Sequence, residues 1–320
     1  MDKRQEIYRL KERIQSKIIG QEKIVQRLLV GLLANGNLLV EGLPGLAKTR
    51  AIKSMSSFIE SDFSRIQFTP DLLPSDVTGS ENMYEDSGEY KFRFEKGPIF
   101  GNIILADEIN RAPAKVQSAM LEAMEERQVT IAGKTYKMPE LFMVMATQNP
   151  VEQEGTYPLP EAQMDRFLLH VNIEYLNSTD ELKMLQVLKS ENSTVKDDTK
   201  ISQEAIFGAR EEIQSVQISQ EIERYIVDLV FATRYPEKYS EELASYIDVG
   251  VSPRATIGLE LCSRVYAYLD GRDVVRSDDV KAMVNDVFRH RITLSYEAMA
   301  NSKSADDVID LLVKNVAVAL

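Results

Sequence analysis

Three short segments of this chain are apolar at every position, and they constrain its fold more than any other feature. Leu38-Leu39-Val40, Ile103-Ile104-Leu105-Ala106 and Leu141–Ala146 show no alternation of apolar with polar residues. A strand with one face in water alternates. A strand covered on both faces need not, and that is the condition inside a parallel sheet flanked by helices. Each segment is shorter than a typical buried helix. Phe63–Phe68 and Leu168–Ile173 supply two further strands. Between them, Pro113–Arg127 carries Val116, Met120, Leu121 and Met124 at helical spacing, and another helical stretch begins at Lys48. Alternating apolar strands and helices specify an α/β fold built on a parallel sheet.

Residues 5–34 precede the first strand. Ile14, Ile18, Ile24, Val25, Leu28, Leu29 and Leu32 recur there with helical spacing, and Ile19-Gly20-Gln21 is a candidate break between two helices. Two hairpins interrupt the α/β pattern. One pairs Glu81–Glu85 with Tyr90–Phe94 around Asp86-Ser87-Gly88; the other runs over Val129–Met138 and turns at Ala132-Gly133-Lys134. Alternation of Tyr90, Phe92 and Phe94 with Lys91 and Arg93 supports the first. The character changes after Glu174. Asn177–Lys200 is polar, with a charged run at Lys196–Lys200, and the rest to Leu320 has helical spacing without apolar strands. We therefore expect two domains, 1–175 with the sheet and 176–320 all helical.

Composition narrows the function. The 320 residues are 44% hydrophobic, enough for two cores. A net charge of −12 argues against a broad electrostatic grip on nucleic acid. The single cysteine, Cys262, cannot form an internal disulfide and fits a cytoplasmic protein. With only two histidines beside it, it also argues against a zinc site. The longest apolar run, Leu28–Val40, is broken by Asn35, Gly36 and Asn37. A membrane span needs about 20 apolar residues, so no insertion is expected. Met1–Glu12 is charged, unlike a secretory leader.

Directly after the first strand stands Gly42-Leu43-Pro44-Gly45-Leu46-Ala47-Lys48-Thr49. This approaches the phosphate-loop pattern G-x-x-x-x-G-K-[ST], with Ala47 where the last glycine is expected. Unpaired N–H groups at a helix start, together with the helix dipole, favour an anion there. Gly42 and Gly45 permit a tight turn and a close backbone approach. Lys48 supplies a charge for β- and γ-phosphates, and the Thr49 hydroxyl suits magnesium. Ala47 is tolerable if its dihedrals are already helical.

The strand Ile103–Ala106 ends in Asp107-Glu108. A carboxylate at the carboxyl end of a central strand faces the crevice where such sheets bind ligands. Asp107 is the candidate to hold magnesium, through a water, and Glu108 to orient and polarise an attacking water. Taken alone, the pair equally suits a helix cap; its place in the same sheet as the phosphate loop favours chemistry.

In these residues the chain resembles the MoxR family of AAA+ ATPases. The matching segments are Gly42–Thr49, Asp107–Pro113, Leu121–Glu126, 146–150 (Ala-Thr-Gln-Asn-Pro), Leu159–Phe167 and Ser252–Ala255, in family order over residues 19–260. The resemblance implies an AAA+ P-loop core followed by a helical lid, with ATP and Mg2+ as cofactors. It implies that Asn149 is the sensor-1 residue, that Arg166 is the arginine finger serving a neighbouring subunit, and that Arg254 is the sensor-2 residue of the lid. Ile18, Ile19 and Gly20 match the segment lining the adenine site. Leu73–Phe94 matches the helix-2 insert and Val129–Met138 the pre-sensor-1 hairpin, which makes Tyr84, Tyr90 and Phe92 candidates for substrate contact. The packing alternative applies most to Phe92 and Phe94.

These implications describe a homo-hexameric, chaperone-like ATPase that remodels or activates client proteins, often with a separate von Willebrand A-domain partner. The alternative is a motor or loader acting on nucleic acid. The acidic balance and the lack of an appended DNA-binding motif weigh against that.

Overall fold

The computed structural model describes residues 2–42, 48–86, 89–149, 155–190 and 199–318. Helices α1 (Lys3–Lys17) and α2 (Glu22–Leu33) come first. The break between them falls where the sequence placed it. Gly20 has φ +69°, and a Cβ there would lie 2.6 Å from the Asp180 Cβ and 2.8 Å from Leu176, a backbone and a space that suit only glycine. Next come β1 (Leu38–Glu41), α3 (Lys48–Ser57), β2 (Phe63–Gln67) and the short α4 (Pro74–Thr78). A long hairpin follows, β3 (Gly79–Asp86) and β4 (Glu89–Lys96), and then β5 (Ile103–Asp107) and α5 (Ala114–Glu126). The second hairpin is β6 (Gln128–Ile131) and β7 (Lys134–Lys137). It turns at Ala132 and Gly133, both at positive φ, as tight hairpins require. The residues of the first hairpin's turn, Ser87-Gly88, lie outside the described residues. The series continues with β8 (Met143–Gln148), α6 (Glu161–Met164), β9 (Leu169–Asn172) and α7 (Ser178–Ser190).

Five strands form one sheet in the order β2-β5-β8-β1-β9. The pairs β2–β5, β5–β8 and β8–β1 are parallel. The three wholly apolar segments are its inner strands, and their apolar residues are buried throughout. Full burial on both faces is why they do not alternate.

The remainder is helical. It comprises α8 (Gln203–Gln214), α9 (Gln220–Arg234), α10 (Glu241–Tyr246), β10 (Ile247–Val249), α11 (Pro253–Leu269), α12 (Ser277–Phe288), β11 (Thr293–Leu294), α13 (Tyr296–Ala300) and α14 (Ala305–Asn315). Helix α11 packs on α12 and α9, and α14 packs on both of those.

Three local features differ from expectation. The helical region contains a two-stranded antiparallel ribbon, β10–β11, so it is not all helical. Its strands are three and two residues long, too short to show a period. Ser295 fixes it, its hydroxyl donating to the Ser245 carbonyl at 2.6 Å. The polar stretch after 177 contains α7, started by Asn177, whose Oδ1 accepts from the Asp180 amide at 2.9 Å. Leu182 and Leu185 on that helix are exposed, and no side chain described from 178 to 186 is buried, so no stripe there announces it. Finally, contacts divide the chain into two compact units at more than one point. Residues 9–166 and 171–203 make the sheet-bearing unit. Residues up to Tyr8, Phe167–His170, and those from Glu204 onward make the helical unit. The sequence-based boundary at 175 falls inside the segment 171–203.

Candidate functional site

The strands β5, β8 and β1 are consecutive in the sheet. Glu41 pairs with Gln148, and Ala106 with Ala146. Gly42, Asn149 and Asp107-Glu108 therefore leave the same carboxyl edge of adjacent strands, where open α/β sheets bind ligands.

Lys48 opens α3, and its Nζ donates to the Gly42 carbonyl at 2.6 Å, closing the two ends of the candidate phosphate loop on each other. Leu43, Pro44, Gly45, Leu46 and Ala47 lie outside the described residues. Burial lowers the Lys48 pKa from its ordinary value, while the charges of Asp107, Glu108 and Glu41 draw it back up. A half-buried ammonium thus sits in the field of three carboxylates. Thr49 follows it in the first turn of α3, half-buried.

The acidic pair is fixed by a residue without an assigned role in the sequence reading. The Thr147 hydroxyl, 1% exposed, donates to Asp107 Oδ1 at 2.7 Å and accepts from the Glu108 amide at 3.0 Å. One buried hydroxyl therefore orients both acids. The other Asp107 oxygen accepts from Arg65 at 2.6 and 3.2 Å. Glu108 has φ +59° and ψ +49°, a left-handed conformation uncommon outside glycine and asparagine, of the kind that gathers at functional sites. Its Oε2 accepts from Gln67 Nε2 at 3.0 Å and pairs with Arg111 at 3.2 Å. Arg65 and Gln67 are two residues apart on edge strand β2, so they share a face, and Gln67 pairs in register with Asp107.

Asn149 directly follows β8 and is buried. Arg166 belongs to the sheet-bearing unit, just after α6. It donates to the Leu121 carbonyl at 3.1 Å and borders a cavity of about 460 Å³ also lined by Glu122 and Glu126. Ile19 and Gly20 form the turn between α1 and α2, with Ile19 half-buried. Arg254 is exposed and stands in the helical unit. It lies in the first turn of α11, which Ser252 caps by accepting from the Arg254 amide at 3.2 Å, with Pro253 at the start as helix openings favour. The sheet edge thus assembles Gly42, Lys48, Asp107, Glu108 and Asn149, while Arg166 and Arg254 occupy other elements. Thr147, Arg65, Gln67 and Arg111 were not assigned from sequence. Thr147 lay inside a matched motif; the pairing of Arg65 and Gln67 with the acids depends on strand order.

In the first hairpin, Met83 pairs opposite Phe92 and Glu85 opposite Tyr90. Met83, Tyr90 and Phe92 therefore line one face, 60%, 70% and 67% exposed. Tyr84 is on the other face. Phe94 packs inward, stacked on Tyr136 of the second hairpin with ring centroids 4.1 Å apart. Packing thus holds for Phe94 and fails for Phe92. Ion pairing of Lys134 with Glu81 at 3.8 Å also links the hairpins.

Two family models match: the ATPase family associated with various cellular activities (AAA) over residues 37–169, and the AAA lid domain over 241–312. The chaperone MoxR1 of Mycobacterium tuberculosis is 44% identical over 301 residues, which span 94% of this chain and 79% of that protein. The chain belongs to the MoxR family of AAA+ ATPases. Two further matches extend across nearly the full length. The uncharacterized protein YeaC of Bacillus subtilis is 41% identical over 96% of this chain and 93% of its own. A crystal structure from Cytophaga hutchinsonii, of a protein assigned as an ATPase, superposes with a TM-score of 0.90 at 43% identity, covering 99% of this chain and 96% of that one. MoxR membership makes this a nucleotide-binding ATPase with an AAA core and a helical lid. Among the described residues, no helix is long and apolar enough to cross a membrane.

Proposed function

We propose that this chain is a magnesium-dependent ATP hydrolase that works as a ring, a homo-hexamer, to remodel, mature or activate client proteins. The observation that carries the reading is the convergence, at one sheet edge, of the Lys48 ammonium with two differently held carboxylates. The amides of Gly42–Ala47 and the Lys48 ammonium grip phosphates. The donor set fits Mg2+, which takes one or two carboxylates, phosphate oxygens and several waters. Asp107 already accepts three hydrogen bonds, and a carboxylate has about four acceptor positions, leaving room for a cation-bound water. Thr49 supplies a second hard oxygen. When bound, the ion neutralises charge on the β- and γ-oxygens during transfer.

Glu108 orients the attacking water and accepts its proton. The Asn149 amide holds that water or the γ-phosphate, and Ile19 and Gly20 border the adenine. Arg254 contacts the γ-phosphate of its own subunit, and Arg166 that of a neighbour. A permanent, planar guanidinium suits both tasks. The apolar face of Met83, Tyr90 and Phe92 contacts clients, and a separate von Willebrand A-domain protein is the expected co-factor in client handling. Glu108→Gln tests the reading. Calorimetry should show retained ATP affinity, phosphate release should stop, and sedimentation with ATP should show hexamers. Rapid hydrolysis by that variant would remove Glu108 from its role.

A further inference from the structure

Arg166 is the last residue of its stretch of the sheet-bearing unit, and the next four residues, Phe167–His170, belong to the helical unit. Leu169 and His170 also open β9 of the sheet, and the four residues carry a second set of contacts besides. Three consecutive residues after α12, Arg289-His290-Arg291, bind their backbone carbonyls. His290 Nε2 donates to the Phe167 carbonyl at 2.9 Å, and Arg291 Nη2 donates to the same oxygen at 2.5 Å. Arg291 Nη1 donates to the Leu168 carbonyl at 3.2 Å. Arg289 donates to the His170 carbonyl. Arg289 is itself anchored, on Asp286 at 2.9 Å and Asp306 at 2.8 Å. Arg289 and His290 are 9% and 6% exposed.

We propose that Arg289, His290 and Arg291 are positioning residues for Arg166: they clamp the backbone immediately after it and so fix the direction in which the chain leaves that residue. Side-chain contacts to apolar groups would tolerate sliding. Hydrogen bonds to three carbonyls within four residues fix the direction of the main chain, because donors must meet the lone pairs along narrow angles. Arg291 engages two successive carbonyls with one planar fork, which a lysine cannot reproduce. The clamp is one peptide bond from Arg166.

The inference rests on the reading of Arg166 as a residue serving a neighbour, and the test separates the two. Arg291→Met, Arg291→Lys, His290→Leu and His290→Gln are compared with Arg166→Ala. Glutamine keeps an N–H donor at the position of Nε2, so His290→Gln should retain turnover, while the other three clamp variants should lose about 10²-fold, the scale expected for misplacing a catalytic group by about 1 Å. Calorimetric ATP affinity should stay within about twofold of native in all four, a shift of under 0.5 kcal/mol. Amide hydrogen exchange at Leu168–Val171, measured on unliganded protein, should quicken in Arg291→Met. The deciding measurement is co-expression with Lys48→Ala, whose subunits lack a working phosphate loop but carry native Arg166. Turnover should return, because those subunits supply the arginine to the variants' intact sites. If the clamp variants lose affinity along with turnover, or are not rescued while Arg166→Ala is, the clamp merely supports the fold. If Arg166→Ala itself is not rescued, the trans role of Arg166 fails instead. Native turnover in Arg291→Met overturns the clamp outright.

Discussion

Replacing Thr147 by valine removes one hydroxyl and leaves the shape of the side chain almost unchanged. In the structure that hydroxyl donates to Asp107 at 2.7 Å and accepts from the Glu108 amide at 3.0 Å, at a position 1% exposed. A hydrogen bond to a charged group contributes roughly 1.5–3 kcal/mol, and an orphaned buried amide costs about 1–3 kcal/mol. The added methyl returns about 0.8 kcal/mol. The net loss comes to about 2–5 kcal/mol. With a urea slope of about 2 kcal/mol/M, the unfolding midpoint should fall by about 1–2.5 M. Thr147→Ser keeps both bonds and loses only a methyl, so its midpoint should fall by less than half as much. Turnover should follow the same order, because only valine frees Asp107 and Glu108 to reorient. Urea titration followed by circular dichroism, with phosphate release on the same samples, makes the comparison. A Thr147→Val protein with native midpoint and native turnover would show that the two acids are oriented by something else.

Other outcomes follow from the same geometry. Lys48→Ala should abolish measurable ATP binding in calorimetry; unchanged affinity would refute the phosphate-loop reading. His290 is held well below its ordinary pKa of 6.5, first by burial and then by Arg291 and His170, against an upward pull from the Phe167 carbonyl, with Arg289 adding the least. Below pH 6.5 the unfolded chain therefore binds a proton that the folded chain refuses. Stability should be full above that pH and decline as pH falls beneath it, and the decline should be shallower in His290→Gln. Equal slopes for the two proteins between pH 7 and 5 would exclude His290 as the cause. Gly20→Ala should lower the melting temperature, since it adds left-handed strain of about 1 kcal/mol to a contact at 2.6 Å with Asp180; a variant as stable as native would mean that the turn relaxes.

The parts of this molecule that sequence reveals are those whose cause is local. Strands β1, β5 and β8 betray themselves because each is buried on both faces, so every residue answers to the same constraint. The phosphate loop and Asp107-Glu108 are equally legible, since helix start, lysine and threonine, or strand end and acid, are neighbours in the chain. What stays hidden depends on which strands become neighbours. Thr147 meets Asp107 from forty residues away, and Arg65 meets it from forty-two. Nothing in their own surroundings says so. Phe92 and Phe94 carry the same alternating signal, yet one is exposed and the other stacks on Tyr136, because the second hairpin reaches only the base of the first. The β10–β11 ribbon escapes for a different reason: its strands are too short to leave a period.

The left-handed backbone of Glu108 has a consequence for how such a chain ages under mutation. An L-residue with a long side chain pays for that conformation with about 1–2 kcal/mol, and the contacts of Glu108 to Gln67 and Arg111 are half-exposed pairs of the sort that return little. Asparagine or glycine would sit there with less strain. Folding therefore does not defend the one residue proposed to activate water. In a lineage released from the need to turn over ATP, that position should drift early, toward Asn or Gly, while Thr147 and the apolar strands stay. The spectrum of residues tolerated at 108, selected for folded protein alone, would read out how much of this site is kept by chemistry and how much by architecture.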